Sequence, residues 1–405
     1  MHIDWNTGTY LSDSTQPPEV RVTVAGDWAP ILGFADRLIE DPQAVYGDLL
    51  PDLQHSDLRI VNLESPLTDS ERPTWKDGPN LRGRPAAIAG LTAVPFDVAC
   101  LANNHVFDFG PGGFEDTTRL LSQAGISTVG AGLSPQVAFA PLVVPVKGMR
   151  LGIVNFCEGE DYTGARDGPG VFGWEVERAA HTVQTLANEV DTVIVIAHCG
   201  REHTPLPPPY VVEAFRRIAE AGAHAVIGHH PHVPQGIEIH GGCPILYSVG
   251  NFVFDQSVDL FYRKAGYLVE LHLSGSDLGF RLIPYRIGAH GLQKMVEPTR
   301  RWFLDRLRQA SEPLGSAQDV RAAWAAFIDQ RGEEGLQAEL ARMVTGQELS
   351  RKQWAALRNR FVTPAHRELW IEAATRAIEG QMGQAPEWAR DLVEEWLTRP
   401  DLQKD

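Results

Sequence analysis

The sequence is poor in positive charge and contains no long apolar run. Its 36 lysine and arginine residues are outnumbered by 52 aspartate and glutamate residues, giving a formal net charge of −16. Nucleic-acid binding needs a basic footprint, so this excess of acid argues against that function and against a broad anionic membrane surface. No stretch approaches the roughly 18 apolar residues that a membrane-spanning helix needs. The first 20 residues lack the basic and apolar segments of a signal peptide, so a cytoplasmic location is expected.

Cysteine is also scarce. The four cysteines, Cys100, Cys157, Cys199 and Cys243, stand in apolar, strand-like contexts and lack CxxC spacing. We therefore expect free buried thiols rather than a zinc knot or a disulfide framework. Neither GxxxxGK(S/T) nor GxSxG occurs in the sequence. It thus gives no support to an ATP-binding P-loop or to a serine-hydrolase elbow.

A stretch rich in histidine occupies residues 191–255. An apolar run ending in His198 predicts a buried strand, residues 211–223 have helical spacing, and a second apolar run leads into GHHPH at residues 228–232. Strand, helix and strand in this order place both strands parallel, with their carboxyl ends at one sheet edge. Six of the 14 histidines lie between His198 and His232. Although a lone histidine after a strand is usually a hydrogen-bonded loop residue, this cluster favours a metal site.

Three earlier apolar runs also lead into residues of ligand type. They end at Asp27, at Glu64, and at Asn104 with His105. Carboxylate, amide and imidazole ligands together suit Mn, Fe or Zn, so the pattern predicts one or two divalent metal ions. Such ions polarise a phosphoryl or carbonyl oxygen and lower the pKa of bound water. The pattern therefore indicates a metal-dependent enzyme.

Strand and helix patterns divide the chain into three parts. Residues 1–19 are polar and predict a flexible lead-in, residues 20–291 indicate an α/β domain, and residues 292–405 predict helices. Six of the ten tryptophans lie in the last part: Trp302, Trp324, Trp354, Trp370, Trp388 and Trp396. We expect them to be core anchors rather than a ligand cage. The Gly-rich, acidic residues 158–174 predict a surface loop.

Six segments resemble, in order, the successive motifs of the capsule-synthesis CapA family, also called poly-gamma-glutamate synthesis proteins. These segments are GDWAP, VNLESPLT, LANNHVFDFG, AHCGREH, VIGHHPHV and YSVGNFVFDQ. The resemblance extends from about Val20 to Gly291. The family is in turn similar to calcineurin-like metallophosphoesterases. The resemblance implies a sandwich of two mixed sheets flanked by helices, with metals bound between loops of the sheets, and the all-helical C-terminal extension lies outside it.

The metallophosphoesterase pattern also implies a role for each residue that matches it. The matching metal ligands are Asp27, Glu64, Asn104, His198, His230 and His232. Glu64 corresponds to the carboxylate that bridges two ions, and His105 corresponds to the proton donor. Asp108, three residues later, either orients His105 or caps the helix that follows.

The sequence departs from this pattern at the first strand. The pattern has Asp-x-His there, whereas this chain has Ala29 two residues after Asp27. One metal position would keep four ligands, and the other would keep only Asp27, Glu64 and His232. We therefore expect unequal affinities, with one ion retained more tightly than the other. His229 is a candidate replacement for the missing ligand.

Weaker signals mark candidates for substrate binding. Arg82 and Arg84 lie in a polar loop and either bind an anionic substrate or belong to a solvated loop. Glu202 is either a general base or a solvated loop acid. Asn251 follows an apolar run and either holds a ligand or forms a turn. His229 is also a substrate-binding candidate.

Three hypotheses for the function stay open at this stage. In the first, a metal-activated water hydrolyses an anionic substrate such as a phosphoester, and His105 protonates the leaving group. In the second, implied by the CapA resemblance, the same site makes or cuts gamma-glutamyl or related amide bonds. In the third, the chain is a non-catalytic subunit of a polymer-synthesis complex. The expected partner is a small anionic substrate or a glutamate-type polymer.

Overall fold

Two mixed β-sheets form the centre of the protein. The computed structural model describes residues 2–10, 18–160, 163–275, 277–346 and 348–401. The first sheet contains β1 (Thr9–Tyr10), β2 (Val20–Trp28), β3 (Leu58–Leu63), β4 (Val98–Cys100), β5 (Ser127–Val129), β14 (Ala265–Ser274), β15 (Asp277–Gly288) and β16 (Gly291–Lys294). The second contains β7 (Leu142–Val146), β8 (Met149–Cys157), β10 (Thr192–His198), β11 (Ala225–His229), β12 (Ile237–His240) and β13 (Cys243–Leu246). A small ribbon pairs β6 (Ala131–Gly132) with β9 (Gly170–Val171).

The first sheet has the order β1-β15-β14-β2-β3-β4-β5, with β16 on β15, and the second has the order β12-β13-β11-β10-β8-β7. Strands β2 to β5 are parallel neighbours, as are β8, β10, β11 and β13, whereas β14, β15 and β7 run antiparallel to their partners. The second sheet therefore has a parallel centre and antiparallel edges, whereas the first has a parallel half that ends at β5 and an antiparallel half. In both sheets the parallel strands bring several carboxyl ends to the same side.

Helices pack around the two sheets, and α7 and α8 cover the outer face of the second sheet. Their bounds are α1 (Phe34–Glu40), α2 (Pro42–Tyr46), α3 (Leu50–His55), α4 (Ile88–Ala93), α5 (Gly110–Gln123), α6 (Pro135–Ala138), α7 (Val176–Leu186), α8 (Pro209–Glu220), α9 (Thr299–Ser311), α10 (Ala317–Val344), α11 (Arg351–Val362), α12 (Pro364–Ile378) and α13 (Glu387–Thr398). Two mixed sheets flanked by helices, followed by a helical C-terminal part, confirm the predicted α/β fold class.

The side chains of β10 alternate between the cores on the two faces of the second sheet. Ile194 and Ile196 pack in the core between the sheets, whereas Val193 and Val195 pack in the outer core, which also contains buried residues of α7 and α8. Successive side chains of a strand point to opposite faces, so a strand buried on both sides needs a continuous apolar run. This explains why TVIVIAH is buried along its full length.

The C-terminal helices are joined to the sheet core rather than separate from it. Leu304 and Leu307 of α9 and Trp396 of α13 belong to the core between the sheets. The Trp396 ring stacks on Tyr262 at 3.9 Å, and its indole donates a hydrogen bond to the Pro234 carbonyl at 2.9 Å. A further cluster, which includes buried residues of α10, α12 and α13, holds these helices together.

Several boundary predictions need correction. The flexible lead-in predicted for residues 1–19 does not apply at Thr9–Tyr10, which pair with β15, and residues 1 and 11–17 of it lie outside the described residues. The boundary predicted at residue 291 falls inside β16. Trp354 and Trp388 are 60% and 40% exposed, so these two tryptophans are not core anchors. All four cysteines are buried and free, as predicted.

Candidate metal centre

Five strands of the two sheets end at one site. Asp27 lies near the end of β2, Glu64 follows β3, and Asn104 follows β4, three parallel neighbours of the first sheet. His198 and His229 end β10 and β11, and the two histidines are paired in the parallel register of these strands. Because parallel strands share their carboxyl edge, residues far apart in sequence meet here, as the strand-end pattern predicted.

The first group of candidate ligands surrounds the Nε2 atom of His198. This atom lies 3.0 Å from Asn104 Oδ1, 3.1 Å from His230 Nδ1 and 3.3 Å from Glu64 Oε1. Glu64, His198 and His230 offer ligand atoms that all lie within 4.8 Å of one another. Donor atoms of this kind at this spacing fit a divalent ion.

The second group shares Glu64 with the first. Asp27, Glu64 and His232 also offer ligand atoms within 4.8 Å of one another. His232 Nε2 lies 3.7 Å from Glu64 Oε1, and His232 Nδ1 lies 3.5 Å from Asp27 Oδ2. Both groups therefore contain the residues that the resemblance assigned to the two metal positions, with Glu64 between them.

The burial of the Glu64 carboxylate, and its lack of hydrogen bonds among the described residues, indicate that this site fits metal ions. Glu64 is fully buried, and within the described part of the chain neither of its oxygens accepts a hydrogen bond. Burial raises the pKa of Glu64 well above its usual range, and the neighbouring Asp27 carboxylate raises it further. A buried carboxylate without partners is costly unless a cation compensates it. A divalent ion on either side would supply that compensation.

Asp27 is held from several sides. Its Oδ1 accepts a hydrogen bond from Asn62 Nδ2 at 2.8 Å and lies 3.0 Å from His229 Nδ1. Burial would raise the pKa of Asp27, but His229 and His232 outweigh this effect and hold it well below its usual range. Asn62 also contacts His198 Nδ1 at 3.1 Å, so this buried amide orients one residue from each ligand group.

Asn251 fixes the ring of His232. Its Nδ2 donates to the carbonyls of His232 and Arg263, so its Oδ1 is the acceptor for His232 Nδ1 at 2.8 Å. This arrangement leaves His232 Nε2 directed to the Glu64 side. Asn251 therefore contacts a candidate metal ligand, and its predicted role in substrate binding stays a prediction.

The backbone after β11 is unusual for non-glycine residues. His230 has φ of 95° and His232 has φ of 57°, in the left-handed region that side chains other than glycine rarely adopt. The His230 backbone N–H donates to Asp27 Oδ2 at 3.4 Å. With this backbone, the His230 ring lies near Glu64, and the His232 ring lies near Asp27 and Glu64. Backbone strain of this kind is often found at functional sites.

Gly26 permits the close approach of two chain segments behind Asp27. A Cβ atom at this position would lie 2.2 Å from the Gly250 carbonyl oxygen. The strand is irregular here, and Asp27 pairs with Asn251 across a single β-bridge. The missing side chain therefore allows the segment that carries Asn251 to reach the metal centre.

His105 lies in a buried ion-paired group beside the first ligand group. Its Nδ1 lies 2.7 Å from Asp108 Oδ2, and Lys76 Nζ lies 2.8 Å from Asp108 Oδ1. Burial lowers the pKa of His105, and the Lys76 ammonium lowers it further. Asp108 therefore orients His105, whereas within the described residues its side chain makes no capping bond to α5. Lys76 was not singled out because its buried partners lie about 30 positions away in sequence.

Two cavities meet at His105 and Glu202. The inner cavity, about 230 Å³, is lined by Asn104, His230 and Glu160, and also by Arg360 and His366 of the C-terminal helices. The outer groove, about 980 Å³, is lined by His232, Phe254 and Arg82, among others.

Glu158 and Glu160 correct the surface-loop prediction for residues 158–174, of which 161 and 162 lie outside the described residues. Glu158 is buried, and its carboxylate accepts a hydrogen bond from the Gly200 N–H at 3.0 Å. Glu160 Oε2 accepts from Asn104 Nδ2 at 2.8 Å. Acidic composition predicted exposure, but long-range partners bury the Glu158 side chain and leave only 14% of the Glu160 side chain exposed.

The three substrate-binding candidates with charged side chains lie in different places. Glu202 lines both cavities, with a side chain 43% exposed. Arg82 lines the outer groove and stacks over Phe109 at 5.5 Å. Arg84 pairs with Asp36, and among the described residues it lines neither cavity. Arg84 is thus placed to attach its loop to α1.

The fold and this centre define an α/β sandwich with a candidate two-ion site at the sheet ends. Residues 21–256 match the sequence family described as "Bacterial capsule synthesis protein PGA_cap". The chain belongs to this family.

Curated relatives support this assignment. The "PGA biosynthesis protein CapA" of Bacillus subtilis is 31% identical over 261 residues, which are 63% of this chain and 68% of the relative. A "Probable polyglutamine synthesis accessory protein" of Mycobacterium tuberculosis is 30% identical over 294 residues, covering 67% of this chain and 77% of the relative.

Solved structures show weaker similarity. A 5'-nucleotidase precursor from Thermus thermophilus aligns with a TM-score of 0.42 and 16% identity over 72% of this chain and 58% of its own. A hypothetical protein from the same organism aligns with a TM-score of 0.41 and 16% identity over 66% of this chain and 100% of its own. In the described part of this chain, no helix combines the length and apolar character needed to cross a membrane.

Proposed function

We propose that this protein is a metal-dependent hydrolase that acts on an anionic substrate, with a phosphoester as the first candidate. The observation that carries the proposal is the buried Glu64 carboxylate, which lacks hydrogen-bond donors among the described residues and lies between two groups of candidate ligands. Divalent ions held there by these groups would polarise a phosphoryl oxygen and activate water for attack. We propose Mn, Fe or Zn, because the ligands combine carboxylate, amide and imidazole.

The chain's own residues supply the other parts of the reaction. Asn62, His229 and Asn251 orient candidate ligands, so that little rearrangement is needed during turnover. Asp108 accepts a hydrogen bond from His105 Nδ1–H and would stabilise the imidazolium form, whose Nε2–H can then pass its proton to the leaving group. The C-terminal helices contribute Arg360 and His366 to one wall of the inner cavity beside the centre.

A phosphodiester assay tests this proposal. Wild-type protein loaded with Mn²⁺ should hydrolyse bis(p-nitrophenyl) phosphate, and His198→Ala should lose at least about a hundredfold in rate. His181→Ala is the matched control, because His181 is an exposed histidine on α7. Equal rates in wild type and His198→Ala, or failure of clean wild-type protein to retain any metal after loading, would reject the proposal.

A second candidate is gamma-glutamyl or related amide chemistry at the same site. The printed names of the relatives, which refer to PGA biosynthesis and polyglutamine synthesis, favour this candidate. Incubation with glutamate oligomers, with and without ATP, followed by mass spectrometry, tests it. A change in oligomer length that depends on His198 would support amide chemistry, and unchanged oligomers would count against it. Turnover by the isolated protein would exclude a purely non-catalytic role in a polymer-synthesis complex.

A further inference from the structure

The inner cavity has a wall that the capsule-synthesis match does not cover. The family match ends at residue 256, whereas Arg360 and His366 come from α11 and α12. Lys352 donates to the Gly78 carbonyl at 2.7 Å, and Arg360 pairs with Asp77, so α11 is fastened to the loop that forms another wall of the cavity. Residues outside the matched region therefore line the cavity beside His230 and Asn104.

The basic residues of this cavity differ in whether a carboxylate pairs with their positive charge. Lys76 pairs with Asp108, and Arg360 pairs with both Asp77 and Glu339. Arg201 also lines the cavity, but no carboxylate of the described residues lies within ion-pair distance of its guanidinium. A part-buried guanidinium without a carboxylate partner is costly and is stabilised by a bound anion.

The hydrogen bonding of Arg201 leaves two of its three guanidinium nitrogens without a partner among the described residues. Its Nη1 donates to His366 Nδ1 at 3.0 Å. In the described chain its Nε is buried without a hydrogen-bond partner, and Nη2 makes no hydrogen bond either. The Nε and Nη2 edge is a fork of two parallel donors that matches the two oxygens of a phosphate or carboxylate.

His366 connects Arg201 to the metal centre. Because a guanidinium only donates, His366 Nδ1 is the acceptor, and the proton of the neutral ring is on Nε2. This Nε2 atom lies 3.3 Å from Glu160 Oε1. Glu160 Oε2 in turn accepts from Asn104 Nδ2. This chain of contacts from α12 holds Arg201 in a defined position relative to Asn104, a candidate metal ligand.

We infer that Arg201 is the anion-binding residue of the substrate site and that His366 is its positioning residue. The ligand is the oxyanion of the substrate, a phosphate or a carboxylate, bound in the inner cavity next to the metal centre. This inference rests on the proposed function for its place in catalysis, but the binding site itself is defined by Arg201 and His366. Because His366 belongs to α12, this assignment makes the C-terminal helices part of the substrate site.

Calorimetric titration of the full-length protein with inorganic phosphate and with glutarate tests the inference. Each probe is titrated into Mn²⁺-loaded and metal-free protein. Arg201→Ala should weaken binding of the preferred anion at least about tenfold in both states, because a charge-assisted forked contact is lost. His366→Ala should weaken it less, since Arg201 remains but is no longer oriented. Arg321→Ala, an exposed arginine on α10, is the matched control and should bind like wild type.

The two probes distinguish the two sources of the anion. Tighter binding of phosphate indicates a phosphoester substrate, and tighter binding of glutarate indicates a glutamate-type substrate; either result supports the subsite if it depends on Arg201. Wild-type affinity for both anions in Arg201→Ala overturns the inference, even if phosphodiester hydrolysis is observed. Arg201-dependent anion binding without any hydrolysis would instead reject the proposed function and leave the subsite standing.

A conservative variant keeps the test decisive if Arg201→Ala does not fold. Arg201→Lys retains the charge but not the planar fork, so several-fold weaker anion binding supports the inference and unchanged binding overturns it. Metal content is measured in each variant. A loss of anion binding with full metal content assigns the effect to the subsite rather than to a collapsed metal centre.

Discussion

At the scale of single residues, Glu64 determines how the two ligand groups depend on each other. Both groups include its carboxylate, whereas His198 and His232 each belong to only one. We predict that Glu64→Gln lowers the occupancy of both metal positions, because a neutral amide replaces the shared anion. Metal analysis after Mn²⁺ loading and desalting measures this. Loss of one ion only would show that Glu64 does not bridge, and His181→Ala should retain the wild-type content.

His105 is predicted to act on the leaving group rather than on metal binding. His105→Ala should therefore keep the wild-type metal content but lower the rate about 10²- to 10⁴-fold for an alkyl phosphodiester, whose leaving group needs a proton. The decrease should be much smaller for a p-nitrophenyl ester, because p-nitrophenolate leaves without protonation. Parallel rate measurements on both substrates check this. Equal losses on both would argue that His105 has a different role.

The candidate ligands could be predicted from sequence because each stands at the end of an apolar run. Strand ends converge in a parallel sheet, so Asp27, Glu64 and His198 needed no knowledge of long-range contacts. Arg201 and His366 could not be found in this way, since they meet across 165 positions and neither belongs to a periodic pattern. Glu160 was assigned to a surface loop because composition alone cannot identify a part-buried acid.

At the scale of secondary-structure elements, the end of β2 depends on a close backbone contact. We predict that Gly26→Ala destabilises the protein by about 1–3 kcal/mol and weakens metal retention, because the new Cβ would overlap the Gly250 carbonyl. Urea unfolding and metal analysis measure the two effects. Gly112→Ala in α5 is the control, since no neighbour lies within 4 Å there and alanine favours helix. Equal stability of wild type and Gly26→Ala would contradict the account of this contact.

Element types were largely predictable, whereas their ends and partners were not. The strands β10 and β11 and the hairpin of β7 and β8 follow directly from apolar patterning. The pairing of Thr9–Tyr10 with β15 was missed, because a two-residue strand carries no periodic signal and its partner lies about 270 positions away.

At the scale of the whole molecule, the C-terminal helices complete the core. Leu304, Leu307 and Trp396 are buried between the sheets, and each such side chain contributes roughly 1.5–3 kcal/mol. We therefore predict that a chain ending at residue 296 does not fold stably, although it contains the whole family match. Circular dichroism and gel filtration measure this. A monomeric truncated protein with cooperative unfolding near that of the full chain would contradict the prediction.

A point variant tests the same packing without truncation. Leu307→Ala should lower the free energy of unfolding by about 2–5 kcal/mol, because it leaves a cavity in the core between the sheets. Ile378→Ala, at the exposed end of α12 with 86% exposure, should change it by less than about 0.5 kcal/mol. Similar small effects for both variants would show that α9 is not part of the core.

The most direct test of the account is anomalous diffraction from crystals of the full-length protein, first without added metal and then soaked in Mn²⁺. The account predicts two peaks after soaking, one on each side of Glu64, with the peak beside His198 and His230 occupied first. The peak beside Asp27 and His232 should fill only with added metal, because Ala29 leaves that position one ligand short of the metallophosphoesterase pattern. Peaks located away from Glu64, or no peak beside it at millimolar Mn²⁺, would contradict the account.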